Sequence, residues 1–316
     1  MSEACALSRL EKVDCLLTVV SDLMIGQFGE PQSNGADPRP RDTMTRPDDL
    51  VHFGRPPLSE IALSIQFESI GAFSYADIGG LKDHFASSFP RVEYHPALPP
   101  MFETFGPRSV FAGHFQFQFA NAGGIPRIWL LDIGGAQVLQ FQPDRLTRNW
   151  RKTGDDDAYP HYENVRKSFL ANIADLERFL ADRKLGTIVP TQCEITYVNQ
   201  INASGGYANM MAHAFSNWRD VQPSGLGLAE TVSFNTSFVL PGPDDSPRGR
   251  IYFEAGSGFD AFGNPTVQFT VVGRGAPISP TIDGAAEFLD LVHDRIVRGF
   301  IELTTAEIQA EWDRNA

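Results

Sequence analysis

The same short pattern opens two successive parts of this sequence. Pro-x-x-x-Glu-Ile occurs at residues 56–61 and recurs, at a constant offset along the chain, at residues 190–195. After each copy, the spacing of the apolar residues predicts one order of elements: a strand, a helix, several antiparallel strands and a long helix. Such a unit packs its long helix across one face of a curved sheet, an arrangement called a helix grip. The sequence therefore predicts an α+β fold of two similar halves, each an antiparallel sheet gripped by a long helix.

The elements of the first half follow from alternating and helical spacings. Apolar residues alternate with others from Ile61 to Phe67, which predicts a strand with one buried face. Two glycines at 134–135 between apolar runs predict a two-residue hairpin. The other predicted elements are a helix from Tyr75 or Asp77 to Phe89, a strand containing Phe115, Phe117 and Phe119, hairpin strands Arg127–Ile133 and Gln137–Phe141, and a long helix from about Pro160 to Arg183.

The second half is predicted in the same way. Thr304-x-x-Glu307 has the spacing of a capping box, which predicts the start of a final short helix. Residues 26–49 are rich in Gly, Pro, Asp and Arg, a linker composition. We therefore divide the chain into a mobile N-terminal extension (1–52), a first α+β repeat (53–186) and a second α+β repeat (187–316). The other predicted elements of the second repeat are a helix near Tyr207–Trp218, strands at 230–240, 250–254 and 266–272, and a long helix from about Asp283 to Glu302.

Acidic residues outnumber basic ones in this chain, 39 to 26, which gives a formal net charge of −13. Phosphate backbones are bound by clustered Lys and Arg, so this balance disfavours nucleic acid as a partner. No apolar run approaches the roughly 20 residues that a membrane-spanning helix needs. The three cysteines, Cys5, Cys15 and Cys193, form no Cys-x-x-Cys pair. We predict a soluble cytoplasmic protein that does not act at a membrane, with Cys193 as a small buried hydrophobe.

No residue pattern in the chain predicts a catalytic, cofactor or metal site. Gly256-Ser257-Gly258 resembles a dinucleotide-binding fingerprint, but that motif must open a helix and the Asn-Pro pair at 264–265 blocks one. A hairpin loop is therefore predicted at 256–261. The seven histidines include no pair at metal-ligand spacing. The acidic run at 155–157 lacks the spaced ligands of a calcium loop and is predicted as a solvated turn.

The densest set of interaction-capable side chains lies between a predicted strand end and the start of the first long helix. In a functional interpretation, Arg151 clamps an anion above the rings of Trp150 and Tyr159. In a structural interpretation, which the pattern favours, Arg151 pairs with Glu163 at the helix start and the aromatic rings belong to the core. The candidate interaction set consists of Asn149, Trp150, Arg151, Tyr159, His161, Tyr162 and Glu163.

Glu60 and Glu194 occupy equivalent places in the two repeats, and both belong to the candidate interaction set as well. A site built on paired carboxylates requires the two groups to lie within about 10 Å of each other. A pseudo-twofold arrangement of the repeats provides one way to achieve that. Ion pairing of each glutamate with an arginine at a strand end is the interpretation that we favour.

Several motifs in order resemble those of a sporadically distributed, largely uncharacterised bacterial protein family. They are Pro-Pro-Leu-Ser-Glu at 56–60, Asn-Trp-Arg at 149–151, Tyr-Pro-His-Tyr-Glu at 159–163 and Tyr-Val-Asn-Gln-Ile at 197–201, followed by His293, Phe300 and Thr304-Thr305. The resemblance covers residues 53–312 and implies little about chemistry. The patchy distribution of the family associates it with mobile genes, such as defence or toxin–antitoxin cargo. The N-terminal extension departs from the family pattern.

Three functions of different classes remain open on the sequence alone. The leading hypothesis is a non-enzymatic protein that binds a protein partner, as part of a mobile defence or toxin-neutralising module. The second is a receptor for a small hydrophobic or aromatic ligand, held in a cavity between sheet and helix. The third is an enzyme with a dispersed acid/base pair. The oligomeric state stays open, and the cavity of the second hypothesis is predicted to be lined by Phe115, Phe117, Phe119 and Trp129.

Overall fold

The computed structural model describes residues 51–106, 124–154, 157–219, 225–242, 245–260 and 262–315. Three predictions fall outside the described residues. They are the N-terminal extension as far as residue 50, the strand with Phe115, Phe117 and Phe119, and two of the three aspartates at 155–157.

The described part of the chain contains five helices and eleven strands. The two longest helices have 21 and 22 residues, and each closes one half of the chain. In chain order the elements are β1 (His52–Phe53), β2 (Leu58–Phe67), α1 (Tyr75–Phe85), β3 (Arg91–His95), β4 (Arg127–Leu131), β5 (Gln137–Gln142), β6 (Arg145–Arg151), α2 (Tyr162–Asp182), β7 (Pro190–Asn202), α3 (Tyr207–Ala214), β8 (Ser233–Pro241), β9 (Pro247–Phe259), β10 (Pro265–Gly275), α4 (Ile282–Leu303), α5 (Ala306–Glu311) and β11 (Arg314–Asn315).

Nine of the strands form one antiparallel sheet in the order β3-β4-β5-β6-β2-β7-β10-β9-β8, and β1 pairs with β11 in a small second sheet. Each half contributes a strand, a helix, further strands and a long helix, with β2 and β7 as the equivalent first strands. The two first strands pair with each other at the middle of the sheet. The predicted α+β fold of two similar halves is confirmed, and the halves share a single sheet.

The pairing of the two first strands has a local twofold axis. Ala62 and Thr196 are related by the offset between the two Pro-x-x-x-Glu-Ile copies, and they lie directly opposite each other in the β2–β7 pair. A strand that pairs antiparallel with its own equivalent about such a point is related to it by a half-turn. The register of the sheet thus matches the internal repeat of the sequence.

Both long helices cover the same face of the sheet, with α2 against β6 and β2 and α4 against β7 and β10. Alternate residues of the central strands point to this face, for example Leu63 on β2 and Ile195 on β7, which are fully buried. Helical spacing presents a matching stripe on each helix, with Phe169 on α2 and Phe288 on α4 as fully buried members. Burial of each such side chain contributes about 1.5–3 kcal/mol.

The opposite face of the sheet is polar, yet much of it is buried. Each half places a glutamate of its first strand opposite an arginine of its last strand: Glu60 faces Arg151 and Glu194 faces Arg274. All four carry charges next to a partner on the neighbouring strand, which is a favourable arrangement for side chains directly opposite each other. We call this side of the sheet the polar face.

Residues 96–106, here called the crossing segment, run over the polar face from the first half to the second. Backbone groups of Met101 bond to both ends of the Gln66 amide, at 2.6 and 2.8 Å. Glu103 then accepts hydrogen bonds from Arg250 (2.5 Å) and from the hydroxyl of Tyr252 (2.9 Å) on β9. The crossing segment thereby satisfies buried polar groups that would otherwise be costly.

Three local predictions were wrong in detail. The hairpin around the two glycines has a loop at 132–136 instead of two residues, because Asp132 accepts hydrogen bonds from Gly135 and Gln137 and widens the turn. The final short helix is capped by Thr305, whose Oγ1 accepts from the Ile308 amide at 3.2 Å, and not by Thr304. Gly256-Ser257-Gly258 lies within strand β9, so that motif is neither a loop nor a nucleotide site.

Helix lengths also differ from the prediction where the chain meets a strand or a loop. α1 ends at Phe85, before the predicted Phe89, and α2 begins at Tyr162, two residues after Pro160. Within the described residues, no helix combines the length and the hydropathy that crossing a bilayer requires.

Candidate functional site

A cleft of about 100 Å³ opens between the two long helices, above the central strands β2 and β7. This volume is several times the roughly 10–15 Å³ that one ordered water needs. The cleft lies at the junction of the two halves, with β1 beside it. It is lined mainly by apolar and aromatic side chains: Val51, His52, Phe53, Pro56, Leu58, Tyr159, His161, Tyr162, Glu163, Tyr197, Asn199, Val271, His293, Ile296, Val297 and Phe300.

Tyr197 on β7 and His293 on α4 form a hydrogen bond in this cleft. The Tyr197 hydroxyl lies 2.7 Å from Nδ1 of the imidazole. Burial lowers the pKa of His293 to about 4, because the charged form loses its hydration there. The ring is therefore neutral at pH 7. Its second nitrogen, Nε2, makes no hydrogen bond to any described residue.

A third polar group, the hydroxyl of Tyr159, belongs to a side chain that lies beside Tyr197 in the cleft lining. Burial raises the pKa of both tyrosines above the ordinary value, since the phenolate would be poorly hydrated. All three groups are neutral over the physiological range, and they lie buried in apolar surroundings.

The imidazole is fixed from its other side by the first residue of α2. The ring of Tyr162 stacks on that of His293, with centroids 3.8 Å apart and planes 12° from parallel. Its hydroxyl donates to Asp290 on α4 at 2.8 Å, and Arg166 donates to the same carboxylate at 2.8 Å. These contacts tie the start of α2 to α4 and hold the imidazole plane in place.

The N-terminus of α2 opens next to the cleft. No side chain caps it, and its N-cap residue His161 has a positive φ of 65°. A residue other than glycine pays a steric cost in this region of backbone space. The His161 ring lies 6.1 Å from that of His52, and Glu163 provides an acidic group in the first turn. The unpaired backbone N–H groups of the first turn give this end a partial positive charge.

Local sequence patterns explain how these side chains come together. Strand alternation places Tyr197 on the same face as Ile195, towards the helices. His293 shares a helical stripe with Ile296, Val297 and Phe300, at spacings of three, four and seven residues. The cleft thus forms where an otherwise apolar helix stripe carries one histidine over a tyrosine on the central strand.

The structure divides the predicted interaction residues between the two faces of the sheet. Tyr159, His161, Tyr162 and Glu163 line the cleft. Trp150 lies on the same face but is buried in the core, with its ring 5.6 Å from that of Tyr159. The remaining predicted residues, Asn149, Arg151, Glu60 and Glu194, belong to the polar face.

Neither role predicted for Arg151 was right, because neighbouring residues of a strand point to opposite faces. Arg151 therefore cannot share a ligand with Trp150, and it makes no ion pair with Glu163 at the helix start. The rings of Trp150 and Tyr159 do belong to the core or pack against it, as the structural interpretation predicted. The Arg151 Nε donates to the carbonyl of Gly135 at 3.1 Å, and its guanidinium stacks 5.4 Å from the ring of Trp129. Trp129, predicted to line the cavity, thus lies on the polar face, away from the cleft.

The carboxylate pair of Glu60 and Glu194 is also excluded by the register. Glu60 lies opposite Val198 on β7, four residues along the strand from Glu194, so the two glutamates are about 13 Å apart. Glu60 accepts a hydrogen bond of 2.6 Å from Asn149. Glu194 pairs with Arg274, as the interpretation of ion pairing predicted. Their positions on the polar face make them structural partners of neighbouring strands.

Other sequence features have structural explanations. Cys193 is fully buried on β7, and burial raises its thiol pKa to about 12, so it is a core residue. Asp157 accepts hydrogen bonds from the backbone of Thr153 and Gly154, as a residue in a turn does. In the described part of the chain, no three His, Cys, Asp or Glu side chains converge on a point that could hold a metal ion.

The site residues missed by sequence reasoning are Tyr197 on the central strand and His293 on α4. Both occur among the motifs that resemble those of the bacterial family, but no spacing in the sequence links one to the other or predicts a site. On physical grounds alone, the signal was a polar residue on an otherwise apolar stripe, and most such residues are simply satisfied core groups.

Comparisons with known proteins leave the family of the chain open. No family model matches it, and no curated protein matches it. Among solved structures, the di-domain ARO/CYC StfQ from the steffimycin biosynthetic pathway is similar at 9% identity, over 80% of this chain and 98% of that one, with a TM-score of 0.18. A TM-score this low supports no argument about fold or function. The resemblance to a sporadic bacterial family stays a prediction, and the fold assignment rests on the chain's own sheet order and register.

Proposed function

We propose that the protein is a receptor for a small, mainly apolar molecule, which binds in the cleft between α2 and α4. The observation that carries this proposal is the combination of an aromatic lining with a hydrogen-bonding group, Nε2 of His293, that no described residue satisfies. Apolar pockets with a few fixed polar groups are typical of small-molecule sites.

Rigidity of the cleft supports the proposal. The Tyr162 ring, which forms one wall, is held through its hydroxyl by Asp290, while Phe300 packs 5.5 Å from Trp312 at the other end. Phe53 of β1 lies 5.7 Å from Phe300 and closes this side. A wall that is already ordered loses little conformational entropy when a ligand binds, so more of the contact energy appears as affinity.

The test is a comparison of ligand binding between a blocked cleft and an intact one. Val297→Trp places a large ring in the cleft, whereas Glu287→Trp puts the same ring on the exposed side of the same helix. We expect small aromatic compounds to raise the melting temperature of the wild type and of Glu287→Trp, but not of Val297→Trp. At a ligand concentration ten times Kd, the stabilisation is about 1.4 kcal/mol. Equal responses of all three proteins would refute the cleft as the site.

A second candidate function, the binding of a protein partner, is favoured by strand β8 at one edge of the sheet. Among the described residues β8 pairs with β9 alone, and it contains no charged residue. Phe238 and Val239 on it are about half exposed, at 49% and 51%. Long uncharged edges accept a strand from another chain, and natural proteins otherwise protect them with charges.

The edge-strand hypothesis predicts that a charge on β8 prevents the association. Phe238→Lys is expected to lose a stoichiometric partner that the wild type recovers from its native host. Tyr94→Lys, at an exposed position of the opposite edge strand β3, serves as the matched control and is expected to retain it. Recovery of the same partner by Phe238→Lys would exclude β8 as the binding edge.

A further inference from the structure

We infer that the ligand of the cleft is uncharged and aromatic, and that it presents a hydrogen-bond acceptor of the carbonyl class to Nε2–H of His293. This inference rests on the proposed function and specifies the chemistry of the same site. It follows from three features of the described residues: the direction of the hydrogen bond at Nδ1, the absence of lysine and arginine from the cleft lining, and the ring of Tyr162 that stacks on the imidazole.

The hydrogen bond between Tyr197 and His293 determines which imidazole nitrogen carries the proton. A neutral imidazole has one N–H and one lone pair, and the partner at one nitrogen fixes the role of the other. A phenol is the stronger acid and an imidazole the stronger base, so their bond takes the form O–H donating to N. Tyr197 therefore donates to Nδ1 across 2.7 Å. The proton of the ring then resides on Nε2.

The neighbouring tyrosine is compatible with this assignment. Once the Tyr197 hydroxyl donates its only proton to Nδ1, its oxygen can still accept a hydrogen bond. Tyr159 lines the cleft beside Tyr197. His293 lines the same cleft, and its Nε2–H has no partner among the described residues.

Charged groups around the cleft disfavour an anionic ligand. The described residues that line it include no lysine or arginine, and they include one carboxylate, Glu163. Of the acidic groups near His293 on α4, Asp290 is paired with Arg166 and Asp294 with Arg298. A carboxylate in this apolar cleft would lose hydration with no lysine or arginine to replace it. A neutral acceptor such as a carbonyl oxygen loses much less.

The shape of the site favours a flat ring. His293 and Tyr162 form a stacked pair with their centroids 3.8 Å apart, which presents ring edges and faces along one wall. A planar aromatic molecule can lie against these rings while its carbonyl reaches Nε2–H.

The experiment uses three compounds of matched size on the full chain. Acetophenone carries a carbonyl, ethylbenzene replaces it with a methylene group, and benzoate replaces the acetyl group with a carboxylate. Binding is measured by NMR titration of each compound. One hydrogen bond to a neutral group is expected to make acetophenone bind about fivefold tighter than ethylbenzene. Benzoate is expected to bind more weakly than acetophenone.

His293→Phe separates the inference from the proposed function. The phenyl ring preserves the surface that stacks on Tyr162 but removes Nε2–H, so acetophenone is expected to lose its preference and to bind this variant no more tightly than ethylbenzene does. If all three compounds bind the wild type without any preference for acetophenone, while Val297→Trp abolishes binding, the carbonyl inference is overturned and the receptor function survives. If none binds, or Val297→Trp has no effect, the proposed function itself fails.

A measurement on the wild type alone tests the tautomer directly. The ¹⁵N chemical shifts of the two His293 ring nitrogens distinguish the protonated nitrogen from the unprotonated one. We expect the proton on Nε2, and in Tyr197→Phe we expect the two tautomers to become mixed because the donor to Nδ1 is lost. A proton on Nδ1 of the wild type would overturn the inference, whether or not the variants fold.

Discussion

The hydroxyl of Tyr197 lies 2.7 Å from Nδ1 of His293 and joins the central strand β7 to the last long helix. The contact spans 96 residues of sequence and sits where the two halves meet. Among the described residues, it is the one hydrogen bond between side chains that joins a strand to a helix in the cleft. Four of the residues around it came from the candidate set, but nothing in the sequence linked Tyr197 to His293.

The free energy of unfolding is expected to decrease as the pH is lowered, because His293 is held neutral in the folded chain. Its pKa is about 4 in the folded chain, below the ordinary value of 6.5, so only the unfolded state takes up a proton between these values. The free energy of unfolding should therefore be constant above about pH 6.5 and decrease below it by up to about 1.4 kcal/mol per pH unit, levelling off near pH 4.

Carboxylates also titrate near pH 4, so the measurement compares variants by urea unfolding at pH 7 and pH 4.5. His293→Phe should lose less stability between these pH values than the wild type. His84→Gln, a change at an exposed histidine away from the cleft, should behave as the wild type does. If all three proteins lost the same free energy of unfolding between pH 7 and pH 4.5, the assignment of a neutral His293 would be contradicted.

Tyr197→Phe removes the hydroxyl that bonds to His293. The variant keeps the ring and its packing, but it leaves Nδ1 of His293 without its partner. Leaving buried polar groups unsatisfied costs about 1–3 kcal/mol, so the midpoint of urea unfolding should shift down accordingly. Tyr94→Phe, at an exposed tyrosine, should leave the midpoint unchanged. An unchanged midpoint of urea unfolding in Tyr197→Phe would show that water replaces the hydroxyl in solution.

The fold was predictable because its two halves have the same order of strands and helices, and this order can be recognised from the spacing of apolar residues along the sequence. Alternation in β2 and β7 and the helical stripes of α2 and α4 determined the layers without knowledge of long-range contacts. The assignment of Arg151 failed for a reason of geometry: a one-residue step along a strand changes the face, so sequence proximity to Trp150 and Glu163 was misleading.

The cleft was predicted only in part, since it combines residues from both halves and from β1. Tyr159, His161, Tyr162 and Glu163 attracted notice as a dense local set, and they do line it. His293 is separated from them by more than a hundred residues, and its role depends on the β7 register. A single sequence carries no information about such a pairing beyond the apolar stripe on which the histidine lies.

Glu103 on the crossing segment is expected to be essential for stability. Its side chain is 4% exposed and is held by Arg250 and Tyr252. Glu103→Gln leaves the Arg250 charge buried without its counterion, which typically costs about 3–5 kcal/mol. The double variant Glu103→Leu, Arg250→Met removes both charges and should be less destabilised than the sum of its single variants.

A solvent-exposed ion pair serves as the control for the buried pair of Glu103 and Arg250. Arg178→Ala breaks the solvent-exposed pair with Asp175 on α2 and should change the free energy of unfolding by about 0.5 kcal/mol or less. Additive effects of the two changes at Glu103 and Arg250 in chemical unfolding would argue that the crossing segment does not hold its place through this carboxylate.

Gly273 on β10 allows α4 to approach the sheet. A Cβ at this position would clash with Val292 Cγ1 and would lie 3.2 Å from Ile296, which lines the cleft. Gly273→Ala should therefore push α4 outward, with a cost of about 1–3 kcal/mol in stability. Because Ile296 and His293 share this helix, the same change should weaken ligand binding.

Gly258→Ala on the adjacent strand β9 is the control for this change. Its Cβ would meet no atom within 4 Å, so it should alter neither stability nor ligand binding. Thermal unfolding and NMR titration of both variants make the comparison, and a tolerated alanine at 273 would mean that α4 can shift without disturbing the contacts that define the cleft.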